Sequence, residues 1–399
     1  MKMINIDNIE QLKHYATEWQ TLLKGVSESS TVFLTQEWIL NWYKYYGADK
    51  TLTVHLFFEK DRLVGIAPFV IFRVVWLGAP IRILRFMGTR QADHLDVYIE
   101  SVYRREGFAL LMEYLATGLR WDVMDLVDLP EDSENVVLLK ELLSQYKFSY
   151  SIQSSIKCPY LRVENDDWDN FFAQKRSKST RQDLRRRLRR LGELGDVEFR
   201  RYEDPAAVER IFPQLQTLYQ KRWEDKFVSI NFTSDKGRQF YCEMAADFSR
   251  QGQLDLLTVE LNDQVIAFTL SLVKDHQFTW LLTAHDPSYD RYFAGEQVII
   301  RMLEDAFKRS SILEIDFTRG DEPYKYKWAS NDRYNVRVLV SNRGLQSKVP
   351  YFILLNYHIL RREAKKSMFL KKLKLDVMGQ IKMLIQKKNK ETTKGSTNE

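Results

Sequence analysis

HDPSYDRYFAGEQVIIRMLEDAF, from His285 to Phe307, is followed after a short gap by IDFTRGDEPYKYKW, from Ile315 to Trp328. The first stretch turns at Asp286-Pro287, and apolar residues then recur at helical spacing from Gly295 to Arg309. A compact apolar strand follows at Ile312 to Phe317. It ends in Asp316, Arg319, Asp321, Glu322, Tyr324, Lys325, Tyr326 and Lys327, eight chemistry-capable side chains within twelve residues. A short helix is expected around Glu322 to Trp328, and a strand at Val336 to Ser341.

Working upstream, three alternating runs at Leu254 to Leu261, Gln264 to Val273 and Gln277 to Ala284 read as an antiparallel meander. The turns are Asn262-Asp263 and Lys274-Asp275-His276. A strand at Val197 to Tyr202 and helices at Ala206 to Trp223 and Gly237 to Ser249 precede it. The N-terminal half repeats the order. It has helices at Ile9 to Leu23 and Gln36 to Tyr46, then strands at Leu52 to Glu59, Leu63 to Phe72 and Ile83 to Met87. A helix at Arg105 to Leu119, a strand at Val123 to Leu129, a helix at Ser133 to Tyr146 and a strand at Ser149 to Ser154 complete it. Laying WDVMDLVDLPED on SILEIDFTRGDE at an offset near 190 puts Asp125 on Asp316 and Glu131 on Glu322. The reading is two copies of one α/β unit. The expected divisions are 1–165, a basic linker helix at 166–195, a second copy at 196–345 and a tail at 346–399.

The chain has 399 residues, 44% of them hydrophobic and 29% charged, with 16 Gly and 9 Pro, which excludes a disordered or collagen-like chain. The net charge of +6 conceals a division. Residues 173–191 carry +8, residues 361–399 carry +8, and the remainder carries −10. Two cysteines, Cys158 and Cys242, lie too far apart in sequence for a paired-cysteine zinc site and argue against a disulfide framework. The start, MKMINIDNIEQL, lacks a secretory apolar core, and no run of about 18 apolar residues predicts a membrane span. The expected location is the cytoplasm.

The strand and helix series resembles the GNAT acyltransferase fold. His285 to Phe307 with Ile315 to Trp328 looks like the signature of the CelD-like GNAT family, associated with cellulose and exopolysaccharide synthesis. FLTQEWILNWYKYYG from Phe33, RFMGTRQADHLDV from Arg85, WDVMDLVDLPEDS from Trp121 and RSKSTRQDLRRRLRRL from Arg176 look like further blocks of it. More distantly, the tandem arrangement is similar to the Fem-type peptidyltransferases. The resemblance implies an α/β fold of two GNAT-like copies, the first degenerate and the second catalytic. It also implies acetyl-CoA or another acyl-CoA as co-substrate, with no permanently bound cofactor.

A helix N-terminus carries unpaired N–H groups and partial positive charge suited to a pyrophosphate. In GNAT enzymes the helix opening at Gly295-Glu296-Gln297 would cradle the acyl-CoA, although Glu296 would repel phosphate if it pointed inward, and a plain helix start remains the alternative. Acyl transfer to an amine needs a base, oxyanion donors and an acid for the departing thiolate. Asp316 or Glu322 could serve as base, Lys325 or Arg319 as oxyanion or phosphate partner, and Tyr324 or Tyr326 as acid. By resemblance, Lys325 falls where Fem-type enzymes place a lysine. The alternative is an ion pair of Arg319 with Glu322 or Asp316 that pins the turn.

His285 and Asp286 could bind substrate, or Asp286 could simply cap its own turn. Asp93, in the Asp93-His94-Leu95-Asp96 loop, could line an acceptor wall between the copies. The run from Lys175 to Arg190, Arg181 included, has Leu184, Leu188 and Leu191 on one stripe and is expected to place its arginines over the cleft. No metal is predicted, because the histidines show no ligand spacing, and DNA binding is not favoured without a base-reading motif. Leu370, Leu373, Val377, Ile381 and Leu384 among lysines predict a basic amphipathic tail helix, suited either to an anionic membrane surface or to packing back on the body with only its lysine-rich end free. The expected activity is acyl transfer to an amino sugar, polysaccharide precursor or amine. The alternatives are aminoacyl transfer from aminoacyl-tRNA, or a non-catalytic scaffold at the membrane.

Overall fold

The computed structural model describes residues 1–24, 32–76, 78–163, 167–223, 232 and 234–366. Contacts divide the chain into one compact unit, Met1–Asn342, and a second, Arg343–Glu399. In the second unit a helix, Leu345–Lys366, is described, and the expected amphipathic segment from Leu370 lies outside the described residues.

The first unit begins β1 (Lys2–Ile6), α1 (Ile9–Lys13), α2 (Ala16–Leu23), α3 (Gln36–Tyr46), β2 (Thr51–Glu59), β3 (Arg62–Trp76), β4 (Ala79–Phe86) and β5 (Tyr98–Ile99). It continues with α4 (Arg104–Thr117), β6 (Val123–Pro130), α5 (Glu134–Gln145) and β7 (Ser149–Arg162). The basic segment forms α6 (Trp168–Lys175) and α7 (Lys178–Gly192). Then come β8 (Val197–Tyr202), α8 (Pro205–Trp223), α9 (Asp235–Arg250), β9 (Leu254–Leu261), β10 (Gln264–Lys274), β11 (Gln277–His285), α10 (Ala294–Phe307), β12 (Glu314–Asp316) and β13 (Asn331–Ser341). The order repeats as expected, with one shortening. Where the first half has α5, the second has a single 3₁₀ turn at Lys325–Lys327.

Local chemistry sets several boundaries. Ser133, Ser177 and Ser234 accept backbone N–H bonds at the starts of α5, α7 and α9, the usual role of a serine cap. Asn262 and Asp263 both adopt positive φ, 51° and 60°, as a tight hairpin between β9 and β10 demands.

One sheet runs β1-β2-β3-β4-β6-β13-β7-β12-β11-β10-β9-β8, with β5 beside β3. The pairs β4 with β6 and β11 with β12 are parallel, and the others are antiparallel. The halves exchange their last strands: β13 pairs with β6 of the first half, and β7 pairs with β12 of the second. An approximate twofold axis therefore passes between β13 and β7. The parallel pairing in the first half includes Val123 opposite Ile83, and in the second it begins at Glu314 opposite Gln277. Two residues beyond these stand Asp125 and Asp316, the pair that sequence alignment had matched.

The core is laid against both faces of this sheet. Trp38 and Trp42 of α3 are fully buried, as their helical spacing implies, and Trp38 meets Phe240 of α9 edge-on at 5.4 Å. Such aromatic pairs contribute roughly 0.5–1.5 kcal/mol beyond their burial. Since Phe240 belongs to the second half, this cluster crosses the repeat. A second cluster gathers Phe171, Trp328, Ile315 and Met302 beneath α10.

Candidate active site

The strands β11 and β12 stay paired for three residues only, 277–279 against 314–316. Beyond that, β11 continues to His285, while the chain after Asp316 turns away through Thr318 (φ 58°) and Gly320 (φ 114°). A register shift between Leu270 and Ser271 leaves Leu281 as an extra residue on β11, and such a bulge bends a strand. The matching β3–β4 ladder has unbroken register. A cavity of about 590 Å³ opens in the gap, lined by His285, Phe293, Gly295, Tyr324 and Trp328 among others.

The start of α10 forms one wall. Phe293 is left-handed (φ 57°) and no side chain caps the helix. A Cβ on Gly295 would lie 2.4 Å from Nδ1 of His285, so glycine is what lets that ring lie on the first helical turn. His285 Nε2 is 2.8 Å from Asp290. Glu296 does not present uncompensated charge, because it pairs with Arg176 at 2.9 Å and Lys327 at 3.0 Å. The Arg176 guanidinium also lies 4.2 Å over the Trp328 ring. Gln297 is buried and donates to the Leu184 carbonyl at 2.9 Å, which docks α7 onto α10. Through that contact and the buried Leu184 and Leu191, α7 packs beside the start of α10, with Arg187 stacked 4.0 Å over Phe293 of the cavity wall, while the residues of α7 itself do not line the cavity. Arg181 is half-buried one turn into α7.

The dense turn after β12 divides into two groups. Glu322, Tyr324 and Lys327 line the cavity. Burial, helped by the Glu322 charge, pushes the Tyr324 phenol above its ordinary value, so it stays protonated. Tyr326 instead donates to Asp332 at 2.8 Å. Lys325 does not line the cavity. Its ammonium is buried, donating to the Arg319 carbonyl at 2.6 Å and pairing with Glu322 at 3.0 Å.

Asp316 and Arg319 turn inward, to the seam between the halves. Asp316 is fully buried, with Oδ1 accepting the Thr318 N–H at 2.7 Å and Oδ2 2.8 Å from His94 Nε2. Burial alone would raise its pKa, but His94 and Arg333 overcome that and hold the carboxyl below the usual range. Burial likewise works to lower His94, and the Asp316 charge and hydrogen bond reverse it, raising the imidazole. His94 Nδ1 lies 2.9 Å from Asn335 Oδ1. Arg319 pairs with Asp93 and lies 3.3 Å from Asp128. Burial first, then the nearby Asp93 charge, lifts Asp128 to about 6 against the pull of Arg319.

These placements correct five expectations. Lys325 is occupied by the Arg319 carbonyl and Glu322, and Arg319 by Asp93 and Asp128, so neither lines the cavity as an oxyanion or phosphate partner. Asp316 is closed off by His94 and Thr318 and is not placed to take a substrate proton. Asp93 is buried against Arg319, so it is not on an open acceptor wall. Asp286 caps its own turn by accepting the Ser288 N–H at 2.9 Å, and pairs with Lys221 at 2.6 Å. Sequence reading did not single out Arg176, Arg222 or Phe293 as individual site residues, and His94 went unrecognised as the partner of Asp316.

The equivalent gap in the first half is filled. Phe69, Phe86, Phe108, Leu126 and Leu129 close around a void of about 10 Å³. Arg104 and Arg105, at the start of α4, are held by Glu134 and Glu141. Among the described residues, no group of three or more His, Cys, Asp or Glu is placed to hold a metal ion. None of their helices is long and apolar enough to cross a membrane.

Residues 178–326 match a family model described as Acetyltransferase (GNAT) domain. The fold is a tandem GNAT fold. The matched GNAT region runs from the first residue of α7 into the turn that carries Lys325, and so includes most of the cavity lining, while Arg176 precedes it and Lys327 and Trp328 lie just past its end. The chain is similar to the crystal structure of FemX, at 10% identity, covering 85% of this chain and 97% of that one with a TM-score of 0.60. It is also similar to a conserved protein of unknown function from Bacteroides thetaiotaomicron VPI-5482, at 11% identity, covering 86% and 100% with a TM-score of 0.54. At these identities the likeness is one of fold. No curated protein matches the sequence.

Proposed function

We propose that the second half of this GNAT-fold protein is an acyltransferase that moves an acyl group, acetyl in the first instance, from acyl-CoA to an amine or hydroxyl. The observation that carries the reading is the cavity of about 590 Å³ at the β11–β12 gap, bounded by the uncapped start of α10. Beyond Thr279, β11 has no strand partner on its β12 side; the Trp280 carbonyl accepts from Thr318 Oγ1 and the Leu282 carbonyl from Trp280 Nε1, and a thioester arm would lie along the strand past these bonds. The pyrophosphate would meet the first turn of α10, with Arg176, Lys327 and Arg187 nearby.

For an amine acceptor, the nitrogen attacks the thioester carbonyl, the C–N bond forms and the C–S bond breaks. Glu322 takes the proton lost by nitrogen, and Tyr324 supplies the one that the thiolate takes up. Lys325 fixes the turn that carries both. Asp316 and Arg319 anchor that turn to the first half. The resemblance to the CelD-like family points to an amino sugar or polysaccharide precursor as acceptor. It also suggests a cytoplasmic enzyme whose basic tail meets the inner face of the cell membrane.

The test is release of CoA thiol from acetyl-CoA with a panel of amino sugars, together with acetyl-CoA binding by calorimetry. Absence of both binding and release removes the reading. The similarity to FemX and the basic face of α7 favour one second reading, transfer from an aminoacyl-tRNA. Salt-sensitive tRNA binding without CoA binding selects it. If CoA and tRNA both fail to bind, a scaffold role at the membrane becomes the better account.

A further inference from the structure

The longest strand of the sheet overshoots its neighbours. β3 is paired with β2 only as far as Ile71, opposite Thr51, while its pairing with β4 runs on through Trp76 opposite Ala79. β4 in turn meets β6 only at Ile83 and Leu84. Residues 73–76 and 79–81 therefore form a two-stranded arm beyond the paired part of the sheet, with Arg82 at its base tied to Asp122 through backbone and side chain. An isolated hairpin is marginal in water, and a polar arm would suit solvent best. This one is apolar towards its tip: Val75 is 77% exposed, Val74 is 40% exposed, and Ala79 and Pro80 are exposed as well.

Basic side chains surround its base. Arg73 and Arg82 face each other across the arm, Lys50 lies 4.7 Å over the Phe72 ring, and Arg120 precedes β6 at the same end of the sheet. Arg82 and Lys50 have carboxylate partners in Asp122 and Asp49. Among the described residues, Arg73 and Arg120 have none. The chain also leaves the first unit at this end. The Asn342 N–H donates to the Asp122 carbonyl at 3.0 Å, and Asp122 holds Arg82. The 57 residues that follow include the +8 stretch at 361–399.

We propose that the β3–β4 arm is a docking wedge for an anionic phospholipid surface, its valines entering the headgroup boundary and its arginines meeting lipid phosphates. Apolar area flanked by basic residues is the combination that such an interface selects. The arm and the basic tail are then two separable weak attachments. This inference does not depend on the acyl-transfer reading, since vesicle binding needs neither donor nor acceptor.

The experiment is flotation of the full-length chain with vesicles of phosphatidylcholine plus phosphatidylglycerol, and with phosphatidylcholine alone. The Val74→Asp/Val75→Asp double variant is expected to bind the anionic vesicles about tenfold more weakly or worse. Lys371, Lys372 and Lys374 changed together to Glu should weaken binding separately. Both valines are exposed, so the melting temperature should hold, and it serves as the check on folding. Full-strength flotation by the valine variant overturns the proposal, as does failure of the wild-type chain to prefer anionic vesicles. A valine variant that loses vesicle binding with an unchanged melt supports it.

Discussion

Replacing Lys325 with methionine separates a reacting lysine from one that holds a turn. Methionine keeps most of the apolar stem and removes the ammonium. The lost bond to the Arg319 carbonyl is 2.6 Å long and made by a side chain that is 6% exposed. A hydrogen bond from a charged group in such a setting contributes about 1.5–3 kcal/mol. The Glu322 side chain is 50% exposed, so the 3.0 Å ion pair is screened and adds less than about 1 kcal/mol. The sum is about 1.5–4 kcal/mol, and about 2–3 kcal/mol at its centre. With an unfolding entropy of about 2.1 cal/mol/K per residue, that corresponds to a fall in melting temperature of roughly 3–4 °C for the unit Met1–Asn342. The assay is a thermal melt paired with CoA-release kinetics. A positioning role predicts the lower melt, reduced turnover as Glu322 and Tyr324 lose their support, and partial rescue of both by arginine. An unchanged melt with abolished turnover would refute the reasoning and make Lys325 a reacting group.

Tyr324→Phe should reduce turnover about a hundredfold while leaving acetyl-CoA affinity intact, since it removes one acid and no wall; equal turnover in calibrated thiol release excludes the role. Arg176→Ala should weaken acetyl-CoA binding several-fold in calorimetry, because Glu296 then faces the donor with one cation fewer, and unchanged affinity across salt concentrations contradicts this. The His94–Asp316 pair should make stability pH-dependent in a stated direction. His94 is raised, so its contribution is complete below about pH 6.5 and fades as pH rises through its folded value. Asp316 is lowered, so its contribution is complete above about pH 4 and fades as pH falls through its folded value. Urea melts of wild type and His94→Gln should therefore differ most between about pH 4 and 6.5, and a difference that grows above pH 8 would be inconsistent with the pair.

The repeated order of elements was legible because each strand and helix writes its own period into the sequence, and the Asp125–Asp316 match survived because both follow a parallel strand pairing. Strand exchange was not legible. β7 and β13 carry no local mark that says which half they complete, and their partners are set by tertiary packing alone. The same distance hid the seam. His94 and Asp316 are far apart in sequence, and an isolated Asp-His in a loop looks like solvated polar chemistry until Arg319 and Asn335 are brought beside it. Glu296 looked hostile to phosphate for the same reason, since its neutralising partners come from Arg176, just past the end of α6, and from the 3₁₀ turn at Lys325–Lys327. The helix start at Gly295 was legible from the apolar period that follows it, whereas the close approach of the His285 ring, which requires glycine there, was not.

The exchanged strands impose an order on biosynthesis. The first half cannot cover the β6 edge until residues 331–341 have been made, so a ribosome must deliver nearly the whole first unit before its earliest part is complete. Until then β6 and β7 offer open edges to any passing chain, and long-range closure of this kind is slow. A nonsense product ending before Asn331 would leave both halves unfinished at once. Duplication here has made one obligate folding unit out of two copies, and a burst of truncated synthesis should therefore yield aggregates instead of half-enzymes.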